Sequence, residues 1–526
     1  MSRMGAVATP HVMASEAGAQ AYRDGGNAID AALAAAAVLT VVYPHQCALG
    51  GDLFAVVGSG AADSKSINGS GAAAAALDVQ DIRSRFAAMP DSGPVPVTVP
   101  GLLGGWQAIH SLGARLPWTR LLAPAMRAAR EGVPVSRSLE NGLQKRTELL
   151  LRDPGMRARF FVDGVPLRQG DVLRQPELAA TFQRLAGAGL RDFYTGQVAS
   201  QLIEGLRALG SPLAEADLAS HRTETTDALR LELGDLAFET SPPNSQGFVL
   251  LEALAALGTS ALQREGDPGR VLRALLLAIE DREKYLGDPL RSPVPLERLL
   301  DPKTLEQRMR SQQSSSSRQE CPPAHGDTVA VCSLDEDGVG VSLIQSVFQL
   351  FGSGILEPRT GVIFHNRGRG FSLNPGAPNA LAPLTRPAHT LMPLLVRRGR
   401  KLEAVMGTMG GRAQPQILAQ LLGGVLDRQT SLATTLRAPR WVVGSLDIDF
   451  PEPTIAVESD APAVFAEALR APGFNQQRIA PLSEIVGHAQ VIRVTDDAQL
   501  EAASDPRSDG EAIVVAALEQ SNGSES

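Results

Sequence analysis

The pattern of apolar and polar positions along the chain predicts helices and strands that are buried in a core. From Ala28 to Val42 the chain carries strong helix formers without proline or glycine, and Gly25-Gly26-Asn27 just before it indicates a turn. We therefore predict a helix over 28–42. The longest apolar run, Ala31 to Tyr43, has 13 residues, whereas a membrane-spanning helix needs about 20. The pattern thus favours a core helix over a membrane segment.

Two further patterns predict elements of different kinds. Leu272 to Tyr285 has Leu, Ala and Ile at helical spacing and a cluster of charges near its end, which is typical of an amphipathic helix. Thr328 to Leu334 is rich in β-branched residues, Asp335 to Gly338 is a turn sequence, and Val339 to Val347 is again apolar. We predict that these last three stretches form a hairpin of two buried strands.

A polar low-complexity segment ends shortly before this hairpin. Residues 311–320 read SQQSSSSRQE, and this composition predicts a mobile linker between domains. The length of the chain is compatible with such a linker, because 526 residues exceed the size of most single cores. This length favours two or three domains or one large intertwined unit. A linker that leads directly into a buried strand is unusual, however, and it singles out the junction before Thr328.

Charge and composition exclude several function classes. The chain has 49 Lys and Arg against 57 Asp and Glu, a net charge of −8, and no basic block, so we expect neither nucleic acid nor a membrane as partner. Cys47, Cys321 and Cys332 have no paired spacing that would indicate a disulfide framework. No histidine pair is spaced for a metal and no glycine-rich stretch has a dinucleotide-binding context, so we expect no metal and no cofactor. The start lacks a targeting signal, which favours the cytoplasm.

Short motifs occur in order along nearly the whole chain. They are Gly25-Gly26-Asn27-Ala28-Ile29-Asp30, Pro44-His45, Leu49-Gly50-Gly51, Val99-Pro100-Gly101, Ser241-Pro242-Pro243, the Thr328 strand, Gly352-Ser353-Gly354, Arg386-Pro387, Gly410-Gly411 and Ser504-Asp505-Pro506-Arg507. Each is weak alone, but in this order they resemble the γ-glutamyltranspeptidase family of N-terminal-nucleophile hydrolases. The resemblance implies an α+β fold, the four-layer αββα sandwich, in which helices cover two stacked antiparallel sheets.

The family is made as one precursor that cuts itself before a threonine, and the resemblance places this threonine at Thr328. The implied products are residues 1–327, which end in the Ser-rich linker over about 311–327, and residues 328–526, which begin with the catalytic threonine. They would remain one intertwined heterodimer, alone or as a dimer of heterodimers. In this interpretation the chain forms one unit and not separate domains.

The chemistry of such a threonine follows from its residue type. A threonine hydroxyl needs a base to act as a nucleophile, and cutting between Asp327 and Thr328 frees an α-amine with a pKa of about 7.7–8.0, which suits a general base. The backbone N–H groups of Gly410 and Gly411 are expected to form the oxyanion hole. Ser346 stands where the family has a hydroxyl that orients the nucleophile. The alternatives are that the two glycines only form a turn and that the Ser346 hydroxyl only forms a hydrogen bond with its own backbone.

The sequence departs from the family where a γ-glutamyl group would be bound. The stretch Ile67–Ala72 lacks the arginine that holds the α-carboxylate. The Asp, Gln and Asn that hold the α-ammonium are replaced by Gly370, Arg367 and Phe348. A pair of serines is replaced by His389-Thr390. Every expected partner of an ammonium group is therefore gone.

These replacements predict an anionic substrate. Arg367 and Arg369 would repel an ammonium group but could hold a carboxylate bidentately. We expect Arg367, Arg369, His389 and Thr390 to bind an acyl group that is anionic and has no amine, as in the oxamate amidohydrolase branch of the family. The alternatives are structural salt bridges at the two arginines, an Arg369 that faces away, and a His389 that only packs.

Three functions remain open at this point. The first is cleavage of a small oxamate-like amide through an acyl-enzyme on Thr328, with water or an amine as acceptor. The second is γ-glutamyl hydrolysis or transfer on glutathione-type amides with a rebuilt pocket. The third belongs to another class, an uncleaved and inactive homologue that acts by binding.

Overall fold

Two antiparallel sheets lie face to face in the structure, a computed structural model that describes residues 4–60, 63–262, 267–311, 327–445 and 450–516. In spatial order, the strands of the first sheet are Glu511–Val515, Gly5–Thr9, Asp327–Asp335, Gly340–Phe348, Asp52–Gly58, Lys65–Gly69 and Glu224–Asp227. Those of the second are Leu500–Ser504, Ala489–Val494, Lys401–Thr408, Leu394–Arg398, Leu236–Thr240 and Leu229–Leu233.

The facing surfaces of the two sheets are apolar and closely packed. The buried side chains between them include Ala6, Val56, Cys332, Leu334, Leu395, Val405 and Ile492, and a neighbouring cluster contains Phe54, Ala330, Ile344 and Leu391. At Gly407 a Cβ atom would lie 2.7 Å from Ile344 Cδ1 and 3.0 Å from Ala330 Cβ. The second sheet therefore approaches the first so closely that a larger residue at Gly407 would require Ile344 to shift.

Helices cover the outer face of each sheet, which completes the four layers and confirms the predicted αββα sandwich. The helices that pack on the first sheet are Val12–Arg23, Ala28–Val42 and Leu102–Ser111. The helices that share a hydrophobic core with the second sheet are Gly247–Leu257, Pro268–Tyr285 and Gln414–Leu426. Ala28–Val42 is confirmed with the predicted bounds, and every residue in it is buried.

The predicted ends of other elements need correction. The amphipathic helix begins at Pro268, because Asp267 caps its N-terminus, and not at Leu272. The hairpin is confirmed, but its strands are Asp327–Asp335 and Gly340–Phe348, and their register shifts between Asp327 and Val329.

The remaining elements lie between and around these layers. The other α-helices are Val79–Arg85, Trp118–Leu121, Ala123–Glu131, Arg137–Leu150, Pro154–Phe160, Pro176–Ala188, Asp192–Thr195, Gln197–Ala208, Glu215–Ser220, Leu296–Leu299, Pro302–Ser311, Leu432–Arg437 and Ala463–Ala468. The 3-10 helices are Gly258–Leu262, Arg367–Gly370, Gly411–Ala413 and Glu484–Val486. Small sheets pair Val133–Pro134 with Val172–Leu173, Phe161–Val162 with Val165–Pro166, Leu356–Glu357 with Val362–Ile363, and join Trp441–Gly444, Thr454–Glu458 and Asn475–Ile479.

The two pieces implied by a cut before Thr328 share both sheets. Residues 1–327 supply Gly5–Thr9 to the first sheet and Leu236–Thr240 to the second, while residues 328–526 supply the strands that pair with them. For the described residues this sharing favours the alternative of one large intertwined unit over two or three separate domains. Most of the predicted linker, 312–326, lies outside them, as does Cys321. In the parts of the chain that the structure describes, no helix is both long and apolar enough to cross a membrane.

Candidate active site

Thr328 lies in the middle of the first sheet at the start of a central strand. Its side chain is completely buried, and Oγ1 has no hydrogen-bond partner among the described residues. A buried hydroxyl without a partner is unfavourable, and such groups in native proteins are often functional. The register shift at Thr328 takes it out of the regular ladder with the neighbouring strand.

Ser346 contacts the peptide bond that precedes Thr328. Its Oγ donates a hydrogen bond to the carbonyl oxygen of Asp327 at 2.5 Å and accepts one from the Phe348 N–H at 2.7 Å. The expected contact was with the Thr328 hydroxyl, so in the uncut chain the partner of Ser346 differs from the prediction. The physical reason is that the intact peptide brings its carbonyl oxygen to the Ser346 hydroxyl. The orientation of Thr328 by Ser346 in a cut chain stays a prediction.

Gly410 and Gly411 follow the strand Lys401–Thr408 and have positive φ angles of 141° and 53°. Glycine adopts such angles without steric cost. In the part of the chain described here, neither of their N–H groups donates a hydrogen bond. Gly410 and Asp327 line the same cavity of about 780 Å³. Gly410, which keeps an unused backbone donor, therefore shares a cavity with the residue before Thr328. The oxyanion hole at Gly410 and Gly411 stays a prediction.

Asp52 forms the centre of a buried polar cluster next to Ser346. It is the cross-strand neighbour of Ser346 and is completely buried. One carboxylate oxygen, Oδ2, lies 3.2 Å from His389 Nε2, 3.3 Å from His365 Nδ1 and 3.8 Å from Arg367 Nε. Burial alone would raise the pKa of Asp52, but attraction to the nearby His365 and the hydrogen bond from His389 hold it well below its usual range. Asp52 is therefore ionised.

His389 is neutral and is held by Asp52. Its Nδ1 accepts the N–H of Leu391 at 3.3 Å, so the proton is assigned to Nε2, which donates to Asp52. Burial and the nearby Arg367 lower the pKa of His389 to about 3. Because Nε2 already has a partner, this geometry favours the packing alternative over a direct donor to substrate.

Arg367 is the charged group in the cluster that keeps free donors. It is 1% exposed, and its Cζ lies 4.1 Å from the centroid of the Phe348 ring, a cation–π contact. Nη1 donates to Thr390 Oγ1 at 3.2 Å, whereas Nε and Nη2 have no hydrogen-bond partner among the residues described. Burial lowers its pKa to about 9, so it stays cationic at neutral pH. The structure thus brings Arg367, Phe348 and Thr390 together, and a substrate role for Arg367 and Thr390 stays a prediction.

Arg369 occupies a different environment. Its Nε forms an ion pair with Asp91, and its side chain is 22% exposed. The salt-bridge alternative describes this arrangement, because the side chain turns to the surface while Arg367 turns inward from the same 3-10 helix. The two arginines do not form one binding pair in this structure, and the ion pair with Asp91 favours the salt-bridge alternative over the predicted substrate role of Arg369.

Sequence reasoning missed Asp52 and His365. His365 lies between two acceptors, with Nε2 at 3.0 Å from the Thr98 carbonyl oxygen and Nδ1 facing Asp52. The available signal was an acidic residue inside an otherwise apolar strand, Asp52–Gly58, because a buried carboxylate requires partners. Within the described ranges no three His, Cys, Asp or Glu side chains are placed to hold a metal ion.

Gln246 connects the two halves of the site. Its Nε2 donates to the carbonyl oxygens of Thr390 at 2.7 Å and of Gly411 at 2.8 Å, and its Oε1 accepts from Arg282. The glycine pair and the Arg367 cluster are therefore fixed relative to one another by one buried amide.

Comparison with known proteins gives consistent results. The sequence model of the gamma-glutamyltranspeptidase family matches residues 14–515. The chain is 35% identical to the oxamate amidohydrolase proenzyme of Klebsiella pneumoniae subsp. pneumoniae, over 97% of this chain and 98% of that protein. It is 33% identical to the glutathione hydrolase-like YwrD proenzyme of Bacillus subtilis, over 96% of this chain and 98% of that protein. The crystal structure of cephalosporin acylase from Bacillus halodurans matches with a TM-score of 0.88 and 31% identity, over 97% and 96%. The range matched by the family model, residues 14–515, includes the positions of the site residues described above.

Proposed function

Because this chain belongs to the γ-glutamyltranspeptidase family, we propose that it is a self-processing amide hydrolase whose nucleophile is Thr328 and whose substrate is a small anionic amide of the oxamate type. The observation that carries the substrate class is the buried guanidinium of Arg367, which keeps Nε and Nη2 without hydrogen bonds. Buried donors of this kind are satisfied by a ligand that supplies acceptors.

Self-processing uses the contacts around Asp327. The Thr328 hydroxyl attacks the carbonyl carbon of Asp327, and Ser346 Oγ polarises the carbonyl oxygen through its 2.5 Å hydrogen bond. The bond to the Thr328 nitrogen breaks, the hydroxyl proton passes to that nitrogen, and an ester forms between Asp327 and Thr328 Oγ1. Water hydrolyses the ester. The products are residues 1–327 and 328–526, which we propose stay together as a heterodimer because both sheets contain strands of each.

Substrate cleavage then uses the freed amine of Thr328. The amine takes the proton from Oγ1 as the oxygen attacks the amide carbonyl, and it returns that proton to the leaving amine. The N–H groups of Gly410 and Gly411 stabilise the oxyanion, each by about 2.7–4 kcal/mol. Water or an amine then takes the acyl group from Thr328.

Charge in the pocket distinguishes oxamate from a γ-glutamyl group. Oxamate carries a carboxylate directly on its amide carbon, within reach of a guanidinium near Thr328. An α-ammonium group would be repelled by Arg367, and the nearby carboxylate of Asp52 already accepts from Gly101 and His389. The anionic acyl group is therefore the better match.

γ-Glutamyl hydrolysis remains the second candidate, because a relative at 33% identity is named glutathione hydrolase-like. The experiment compares kcat/KM of the purified, processed enzyme for oxamate and for a γ-glutamyl anilide. Higher kcat/KM for oxamate supports the proposal. Higher kcat/KM for the anilide contradicts it, and a chain that stays intact and turns over neither would be the inactive binding homologue.

A further inference from the structure

The cavity that contains Asp327 and Gly410 is large for the leaving group of oxamate. It measures about 780 Å³, within the range of pockets that hold drug-sized ligands. Ammonia, the amine released from oxamate, is about the size of a water molecule, which occupies roughly 30 Å³ in the liquid. The helix Arg137–Leu150 and the loop Ala480–Ile485 both line it.

The charged side chains of this cavity differ in how well they are paired. Arg137 is bound by Glu484, by Asp509 and by the carbonyl oxygen of Arg507. Arg146 also lines the cavity, but its guanidinium forms no hydrogen bond or ion pair within the described residues, and its Nε is buried. Arg146 is thus a partly buried cation that lines the cavity and has no ion-pair partner among the described residues, although Asp327 and Glu484 line the same cavity.

The direction of the reaction places the leaving amine in this cavity. The acyl carboxylate lies on the side of Arg367. The proton that Thr328 takes up must return to the leaving nitrogen, so that nitrogen lies next to the Thr328 α-amine. The α-amine appears where the peptide to Asp327 was, and Asp327 lines the cavity.

On these grounds, and resting on the proposed function, we propose that the cavity binds a substituted amine part of the substrate and that Arg146 binds an anionic group on it. The substrate class is then N-substituted oxamates whose amine part carries a carboxylate. With N-oxalylglycine as the probe, Thr328 Oγ1 bonds to the amide carbon, the carbon–nitrogen bond breaks, and glycine leaves with the proton carried by the α-amine. Water then hydrolyses the ester and releases oxalate.

The test measures kcat/KM of the processed enzyme for three compounds: oxamate, N-oxalylglycine, and N-(2-hydroxyethyl)oxamate, whose amine part carries no charge. The variants are Arg146→Gln, the conservative Arg146→Lys and Arg127→Gln, a matched loss of one charge at an exposed arginine that does not line the cavity. The wild type is expected to prefer N-oxalylglycine over N-(2-hydroxyethyl)oxamate by about tenfold, as a charge-assisted contact allows. Arg146→Gln should abolish this preference and keep kcat/KM for oxamate within about twofold of the wild-type value. Arg146→Lys should keep part of the preference, and Arg127→Gln should keep all of it.

Two other results would overturn the inference in distinguishable ways. Oxamate turnover with equal kcat/KM for the two substituted compounds, or with a preference that survives in Arg146→Gln, contradicts the anionic amine site alone. A processed wild type that turns over none of the three compounds contradicts the proposed function together with this inference.

Discussion

Ser346 Oγ donates a 2.5 Å hydrogen bond to the carbonyl oxygen of Asp327, and the next residue along the chain is Thr328 with its unpaired hydroxyl. The Ser346 hydroxyl thus polarises the carbonyl group of Asp327, which the Thr328 hydroxyl is proposed to attack. In the structure this pair belongs to the uncut chain, so its first consequence concerns the cut itself.

Ser346→Ala should slow self-processing by roughly 100-fold or more, because the developing oxyanion on Asp327 loses one donor. The measurement is the fraction of full-length chain on a denaturing gel over time after purification. The matched control is Ser333→Ala on the same hairpin, whose hydroxyl donates to the Ala28 carbonyl oxygen far from the cut. Processing of Ser346→Ala at the rate of the control would contradict this role.

Arg367→Gln should lower kcat/KM for oxamate by about 100-fold, because the variant removes the charge and the planar pair of donors for the substrate carboxylate. Arg367→Lys should recover only part of the activity, since an ammonium cannot form the same bidentate contact. Arg369→Gln is the control from the same 3-10 helix, and its ion pair with Asp91 predicts a change within about twofold. Equal losses in Arg367→Gln and Arg369→Gln would count against the assignment.

His488 should make the folded protein less stable in acid. Burial lowers its pKa to about 4 despite the attraction of Asp505 and Asp509, and both ring nitrogens are without hydrogen bonds among the described residues. Its unfolded pKa is about 6.5. Between these values the unfolded chain binds a proton that the folded chain does not, so the free energy of unfolding falls as pH decreases from about 6.5 towards 4.

His488→Gln should reduce that dependence by up to about 1.4 kcal/mol per pH unit. The measurement is urea unfolding of wild type and variant at about pH 7 and about pH 5, compared as the difference between the two conditions. An unchanged difference in the variant would show that His488 is not the group that takes up the proton.

Local patterns predicted the elements that depend on near neighbours. The helix Ala28–Val42 and the presence of a hairpin after Asp327, though not the ends of its strands, follow from composition and turn residues within a few positions. The order of strands does not, because Gly5–Thr9 pairs with Asp327–Asp335 across more than half of the chain. That pairing depends on how the two sheets pack against each other, and a pattern over a few neighbouring residues carries no information about this packing.

The same distinction applies to the candidate site. Thr328, Gly410-Gly411 and Arg367 could be predicted because they belong to motifs or replace motif residues. Asp52 and Arg146 could not, since their importance comes from what other segments bring to them. Asp52 matters because His365 and His389 approach it, and Arg146 matters because nothing described pairs with it.

The central claim is that Thr328 becomes the N-terminal nucleophile by cutting the chain before itself. The most direct measurement is the intact mass of the purified protein together with N-terminal sequencing. We expect two chains, residues 1–327 and 328–526, with a new terminus at Thr328, and a single uncut chain in Thr328→Ala. A wild-type chain that keeps its full mass of 55.4 kDa after long incubation, or a Thr328→Ala chain that is still cut at this bond, would contradict the account.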